Sequence, residues 1–406
     1  MSDHLALTFL GVGSYQPTTY ELDGKTHTTR YMADAISTLV DPDQMAIFMT
    51  PEAARTHAEQ VRKRCDFEAV SVQPGADAAD WWDVFEVVAD TVPASSRLTV
   101  DVTHGFRSQP LLALAVVLYL RVAKGAKVER IIYGAFEARD ESTNRTPIMD
   151  LTAVVDLVDW SVATQQFLAY GDAQPLRTVF HVLKEESRKG DEVALNLGGA
   201  GDQLEILSRA LALNRPIEAI SASEGFINAL EKALQDTQRV PQARPLQRLV
   251  LALANRFAPL SQAEGSVFTD RGFKAQAAML RLYLETEQYL HAFTLAQEML
   301  VSWVCVQSGL NPKARGTAER DDQGNTVKRK GRKGARDLLH EWSSRKNASA
   351  EDGPGENALK VASWWDDLRD LRNDVAHAGF QYNPESAVDL AQAADEKITK
   401  VVDFFS

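Results

Sequence analysis

Cysteine is nearly absent from this chain: Cys65 and Cys305 stand far apart and fit neither a thiolate metal site nor a disulfide framework. A reducing cytoplasm is the expected location. Long apolar runs are missing too. The longest, Leu111 to Leu120, is too short to cross a bilayer and is followed by Arg121, so no membrane association is expected. The opening Met1-Ser2-Asp3-His4 is polar, with no basic region ahead of an apolar run, which argues against a signal peptide. His, Cys and carboxylates nowhere cluster at metal-ligand spacing, and no metal or other cofactor is expected. Positive charge is also in deficit. The net charge of -12 disfavours nonspecific nucleic-acid binding over the whole surface and leaves room only for a local basic site.

What is present is ordinary for a globular protein, with 45% hydrophobic and 25% charged residues over 406, enough for two or three domains with real cores. Leu5 to Leu10 predicts a short strand running into Gly11-Val12-Gly13-Ser14. Thr18 to Leu22 and Lys25 to Arg30 flank Asp23-Gly24, a dipeptide suited to a type I′ hairpin turn. A helix is expected from Tyr31, a strand over Met45 to Met49, and then a helix that Thr50 caps and Pro51 begins. Phe67 to Val72, Arg97 to Val102 and Val128 to Phe136 read as further strands, and Ala79 to Ala89 and Leu111 to Val122 as helices. This alternation predicts a parallel sheet with helices on both faces.

Ligands of such sheets bind beyond the carboxyl ends of the strands, and three of those ends are unusual here. The first is Gly11-Val12-Gly13-Ser14, which permits close backbone approach to a phosphate or ring and equally reads as a plain turn. The second is Thr50. The third is Asp101-Val102-Thr103-His104-Gly105-Phe106-Arg107-Ser108-Gln109-Pro110, where Thr103, His104 and Arg107 crowd the entry of an apolar helix. Donors at a helix N-terminus make an anion site. His104 as a cap and Arg107 as a surface charge is the structural alternative.

From about Ala153 the strand pattern stops and helical periodicity takes over. Val154 to Leu168, Leu176 to Ser187, Leu204 to Leu213 and Ile217 to Leu234 are expected helices, followed by one long helical run over Phe273 to Val306. Lys328, Arg329, Lys330, Arg332 and Lys333 fall in a Gly-containing stretch, read either as a charged loop or as a basic approach path for RNA. Ser363 to about Ala378 predicts a helix with a Trp364, Leu368, Leu371, Val375 stripe, ended by Gly379. Near its end lie Arg372, Asn373 and His377. Asn373 and His377 share a face, so the amide is placed to orient the imidazole or else to contact a phosphate. Arg372 and His377 lie about 140° apart around an ideal helix. One straight helix presents them poorly to one phosphate, whereas two copies at a symmetric interface would form a shared groove. Val388 to Phe405 is a closing helix.

The Asp101-to-Pro110 block, Phe9-Leu10-Gly11-Val12-Gly13-Ser14, Phe48-Met49-Thr50-Pro51-Glu52-Ala53 and Tyr133-Gly134-Ala135-Phe136-Glu137 together resemble the CARF domain, the CRISPR-associated Rossmann fold. The Arg372-Asn373-x3-His377 spacing resembles the R-x4-6-H signature of HEPN ribonucleases. The two occur in the order expected of the type III CRISPR ancillary ribonucleases. The resemblance implies an α/β Rossmann-like CARF domain over 1–152, connecting helices over 153–260 and an all-α HEPN bundle over 261–406. It also implies a homodimer that cleaves single-stranded RNA without metal when cyclic oligoadenylate, made by a type III CRISPR effector complex, binds the CARF dimer. Cyclic tetra-adenylate is the first choice of activator and cyclic hexa-adenylate the second, since even-membered rings suit a two-fold axis. Gly11, Val12, Gly13, Ser14, Thr50, Thr103, His104, Gly105, Phe106, Arg107 and Gly134 are the expected activator contacts.

RNA carries its own nucleophile in the 2′-hydroxyl. Arg372 suits the phosphoryl oxygens with a planar donor fork, and His377 suits proton transfer. The implied products are a 2′,3′-cyclic phosphate and a 5′-hydroxyl. Phe380 and Tyr382, just downstream, are either base-stacking or core aromatics. Two other readings stand beside this one: a ring nuclease that degrades the activator at the N-terminal site, and a non-catalytic sensor or RNA-binding scaffold.

Overall fold

All seven residues of His4–Leu10 (β1) are buried, as a central parallel strand covered on both faces must be. Its neighbours in the sheet are Gln44–Met49 (β4) and Arg97–Asp101 (β6), both parallel to it. Beyond them lie Glu68–Ser71 (β5) on one side and Lys127–Gly134 (β7) on the other, also parallel. Thr18–Leu22 (β2), Lys25–Thr29 (β3) and Arg145–Asp150 (β8) extend the sheet, which has eight strands in the order β3-β2-β8-β7-β6-β1-β4-β5. The computed structural model describes residues 3–74, 78–104, 109–189, 197–237, 244–262, 266–316, 319–320, 326–328, 330–344, 355–380 and 383–406.

The sheet is mixed and not wholly parallel as expected, because β8 runs antiparallel to β7 and β2 antiparallel to β3. The β2–β3 turn follows the sequence closely: Asp23 and Gly24 both have positive φ, 50° and 76°, the geometry of a type I′ turn. β8 escaped the sequence reading because Pro147 interrupts its ladder. The strand tolerates it by changing partners, with Arg145, Thr146 and Pro147 facing β2 and Ile148 to Asp150 facing β7.

Four helices clothe the sheet. Met32–Leu39 (α1) and Pro51–Arg62 (α2) pack Met32, Ile36 and Val61 against one face, beside Ile47 and Met49. Ala78–Thr91 (α3) and Gln109–Ala123 (α4) pack Val84, Val88, Val116 and Leu120 against the other, beside Leu7, Phe48 and Val100. The chain therefore switches faces at β1 and β6, and a crevice opens beyond their carboxyl ends. Thr50 caps α2 as expected, accepting from Ala53 N at 3.2 Å, with Pro51 at the first helical position.

Contacts divide the chain into two compact units, 1–158 and 159–406. The helix Ala153–Tyr170 (α5) runs across that division. The second unit continues with Gln174–Lys189 (α6), Leu197–Ala212 (α7), Pro216–Thr237 (α8), Arg244–Phe257 (α9), Asp270–Glu285 (α10) and Tyr289–Gln307 (α11). A two-stranded ribbon, Glu319–Arg320 (β9) with Thr326–Lys328 (β10), precedes Gly331–Ser344 (α12), Glu356–Ala376 (α13) and Ala387–Phe405 (α14). One hydrophobic cluster runs from Trp160 to Phe405, and Leu260, at the expected boundary between connecting helices and bundle, is buried within it.

Two expectations are corrected here. The run from Phe273 to Val306 is not one helix but α10 and α11, broken at Thr286-Glu287-Gln288, where Glu287 has φ 54°. Apolar periodicity passes across the break because both helices bury their faces in the same core. The Gly-containing basic stretch is not simply a loop either, since Gly331 begins α12, which buries Ala335 and Leu339.

Candidate functional site

Each unit has its own candidate site. In the first, β1, β4, β6 and β7 all end at one edge of the sheet. After β1, Gly11 N donates to the Tyr15 hydroxyl, and that hydroxyl donates back to Gly11 O, both at 3.0 Å, so the Gly11–Ser14 turn is folded around its own tyrosine. Val12, Gly13 and Ser14 are exposed. A Cβ at Gly11 or Gly13 would meet only the Tyr15 side chain, at 3.5 Å or more, an ordinary van der Waals contact.

Asp101 at the end of β6 is fully buried, and three donors hold its carboxylate. Thr8 Oγ1 donates at 2.5 Å, and Thr103 donates through both its N–H, at 2.9 Å, and its hydroxyl, at 2.5 Å. Burial still pushes the carboxyl up, to about 6. Thr103 Oγ1 then accepts from Gly134 N at 2.8 Å, which pins β7 to the turn. Gly134 is glycine for packing: a Cβ there would come within 2.8 Å of the Tyr20 ring and 3.3 Å of Thr103. It is buried, with its N–H engaged.

His104 lies against Tyr15, ring centroids 4.2 Å apart, and its Nε2 accepts from Met32 N at 3.4 Å. Burial, followed by the nearby His57, pulls its imidazole down to about 4. It is therefore neutral at pH 7 and offers a ring face, not a charge. Tyr15 also packs on His57 and Tyr31, at 5.1 and 5.8 Å. His57 Nε2 reaches Gly13 O at 3.0 Å and its Nδ1 reaches the Tyr31 hydroxyl at 3.2 Å. The crevice thus joins Gly11–Ser14, Thr103 and His104 from the expected set. Thr50 is occupied as a cap, and Gly105, Phe106 and Arg107 lie outside the described residues. Sequence reasoning missed Tyr15, Tyr31 and His57. Tyr15 follows the Gly turn directly and had that positional signal, whereas His57 reaches the turn only through the fold.

In the second unit α13 buries Val361, Ala362, Trp365 and Leu368, and packs Trp364, Leu371 and Val375 at the edge of the cluster. The helix ends sooner than expected, at Ala376, with His377 as its C-cap. Ala378 and Gly379 both take positive φ, 53° and 72°, and Gly379 N closes on Asp374 O at 3.3 Å, a Schellman-like ending. His377 is exposed there.

Asn373 does not hold the imidazole as the spacing suggested. Its Oδ1 accepts from Arg372 Nη1 at 3.2 Å, while its backbone carbonyl accepts from His377 N at 3.0 Å. The amide thus steadies the guanidinium. No carboxylate among the described residues pairs with Arg372, whose Nε is buried without a partner. Arg369, one turn earlier, is by contrast neutralised by Asp366 and Asp370 at 2.9 and 3.0 Å. Asp374 is buried, and its Oδ2 accepts from Glu385 N at 2.7 Å, tying the end of α13 to the segment before α14. Phe380 is 92% exposed, so it is not a core residue; Tyr382 lies outside the described residues.

The basic segment divides. Arg332 is structural: it donates to Ser302 Oγ at 2.9 Å, Pro312 O at 3.1 Å and Glu298 O at 3.0 Å, and it also pairs with the Glu298 carboxylate. Lys330 and Lys333 are exposed. Arg329 and the Lys328 side chain lie outside the described residues. Among the described residues no group of His, Cys, Asp or Glu is arranged to hold a metal, and no helix is long and apolar enough to cross a membrane.

No family model matches the chain. It is similar to the CRISPR-associated protein MJ1674 of Methanocaldococcus jannaschii, 21% identical over 323 residues that make up 78% of this chain and 44% of the relative. The chain therefore spans less than half the length of the curated relative it matches. Among solved structures it resembles Enterococcus italicus Csm6 bound to cyclic hexa-2′-fluoro-hexa-dAMP, with a TM-score of 0.48 and 10% identity, covering 100% of this chain and 94% of that one.

Proposed function

We propose that this chain is a type III CRISPR ancillary ribonuclease, a CARF domain that senses cyclic oligoadenylate joined to a HEPN bundle that cleaves single-stranded RNA without metal. The observation that carries the reading is the end of α13, where Arg372 has no carboxylate partner among the described residues and exposed His377 caps the same helix. A guanidinium left without a counter-charge is an anion site in waiting, and a neighbouring imidazole is the side chain suited to proton transfer near neutral pH. The similarity to an archaeal CRISPR-associated protein supports the CRISPR setting.

In the proposed reaction the 2′-oxygen attacks the adjacent phosphorus and the bond to the 5′-oxygen breaks. The 2′-hydroxyl proton leaves to a base and the departing 5′-oxygen gains one, giving a 2′,3′-cyclic phosphate and a 5′-hydroxyl. Arg372, steadied by Asn373, takes the phosphoryl charge and His377 carries a proton. A second copy of the chain supplies the other Arg372 and His377 across a two-fold groove, and Phe380 offers a face for a base. Lys330 and Lys333 draw the RNA strand in. The intracellular setting and the homodimer belong to the same proposal.

The activator, cyclic tetra-adenylate first and cyclic hexa-adenylate second, sits across two copies of the Gly11–Ser14 turn and the segment 104–107. Neutral His104 and Tyr15 offer ring faces to adenine, and Arg107 pairs with a phosphate. Asp101 is enclosed by Thr8 and Thr103 and so does not supply the base a ring nuclease would need. Incubating the protein with fluorescent RNA and cyclic tri-, tetra- or hexa-adenylate tests the reading. Arg372→Ala and His377→Ala should each lower cleavage by about 10²-fold or more while activator binding stays intact. Near-wild-type activity in both variants would place the chemistry elsewhere.

A further inference from the structure

α5, α7 and α10 all end at one place in the second unit. Each chain segment leaves its helix through a residue of positive φ: Gly171 at 74°, Asn214 at 51° and Glu287 at 54°. Between these ends and the first turn of α11 lies a cavity of about 410 Å³, within the range that takes a small organic molecule. Neither α13 nor the crevice of the sheet contributes to it.

Its lining excludes some ligands outright. Among the described residues no Lys, Arg, Asp or Glu lines it, so a phosphate, carboxylate or ammonium ion entering it would lose water without gaining a counter-charge. Aromatic rings dominate instead. Phe167 and Phe257 stack on each other at 5.0 Å and, like Tyr283, are almost wholly buried behind the cavity; Tyr283 packs on His291 at 5.3 Å, and Tyr170, 74% exposed at the rim, has the open ring face. Such walls favour a flat, apolar-faced guest.

The polar groups then distinguish a heterocycle from a hydrocarbon. The donors of the lining are already engaged: Tyr283 OH on Leu211 O at 2.7 Å, His291 Nε2 on Ala212 O at 3.0 Å, Ser208 Oγ on Gly171 O at 2.6 Å. What these groups retain is acceptor capacity, the hydroxyl lone pairs and His291 Nδ1, because the carbonyl on Nε2 fixes the tautomer. α11, which carries His291 in its first turn, starts at Gln288 without a side-chain cap. The first-turn N–H groups of that helix are donors. Acceptors and donors side by side match the edge of a nitrogen heterocycle.

We propose that this cavity binds a nucleobase, taken as an uncharged flat ring, with Tyr170 closing over it and any phosphate left outside. The proposal stands apart from the ribonuclease reading, since it uses none of the same residues. The test is calorimetric titration of the full chain with adenosine, guanosine, cytidine and uridine and their 5′-monophosphates, with spermidine and inorganic phosphate as charged probes. Two variants at exposed rim positions, Tyr170→Ala and Ala212→Arg, localise the binding, and thermal melting checks that both remain folded. The expected result is one nucleoside bound per chain at this site, no gain in affinity from adding a 5′-phosphate, and about tenfold or greater weakening in both folded variants, the scale of one lost base–aromatic stack. Absence of nucleoside binding, tighter binding of spermidine or phosphate, or binding unchanged by both variants would overturn it.

Discussion

At the scale of single residues, two buried groups at the sheet crevice titrate in opposite senses. His104 is held down at about 4 from an ordinary 6.5, so it favours the folded state above pH 6.5 and loses that contribution as the pH falls towards 4. Asp101 is held up at about 6 from 3.8, so it penalises the folded state above pH 6, and that penalty is relieved on acidification. Each amounts to about 3 kcal/mol at about 1.4 kcal/mol per unit, and in the wild type they largely cancel. His104→Phe should therefore leave a protein that gains stability between pH 6 and pH 4, and Asp101→Asn one that loses it between pH 6.5 and pH 4. Urea unfolding midpoints across that range check both, and parallel curves for all three proteins would contradict the assignment. The proposed pair of Arg372 and His377 needs a stricter control. Arg372→Lys keeps the charge but loses the fork and the bond to Asn373, so it should restore RNA binding without restoring the cleavage rate.

At the scale of elements, the end of α13 carries a visible strain. Ala378 sits at φ 53°, where a Cβ is disfavoured, and Gly would take the position freely. Ala378→Gly should raise stability by about 1 kcal/mol in chemical denaturation, by sparing that Cβ penalty. A lower midpoint would show that the loop, and not the φ, decides. The basic segment separates in the same way. Arg332→Ala removes the ties from α12 to Ser302, Pro312 and Glu298 and should destabilise by roughly 2 kcal/mol or more, since it leaves the partly buried Glu298 carboxylate without that partner. Lys333→Ala should leave the melting temperature unchanged while flattening the salt dependence of RNA binding. These elements also mark what the sequence made legible. The Thr50-Pro51 cap and the Asp23-Gly24 turn were readable because each is set by adjacent residues. β8 was not, because Pro147 argues against a strand until two different neighbours share its pairing. The break between α10 and α11 was hidden because no Gly or Pro marks it, only Glu287 in a left-handed conformation. Within the site, Asn373 shares a helical face with His377 yet accepts from its sequence neighbour Arg372, a choice made by side-chain rotamers that spacing does not show.

At the scale of the whole molecule, a sheet unit and a helical unit each carry their own cluster, one with ring faces beside an open turn and the other with a guanidinium steadied by Asn373 and an exposed imidazole at the end of one helix. The α/β-then-α order was legible from the change of period near Ala153, whereas the division of the second unit was not, because one core from Trp160 to Phe405 leaves no seam. A ligand at the first unit can change chemistry at the second only if it binds two arrangements of the protein with different affinity. The most direct measurement is a titration of RNA cleavage against cyclic tetra-adenylate, with and without EDTA, for wild type and Arg107→Ala. Expected are cleavage that depends on activator and not on metal, and a midpoint moved to higher activator concentration in Arg107→Ala with the plateau preserved. Equal cleavage without activator, or loss of cleavage in EDTA, would contradict the account.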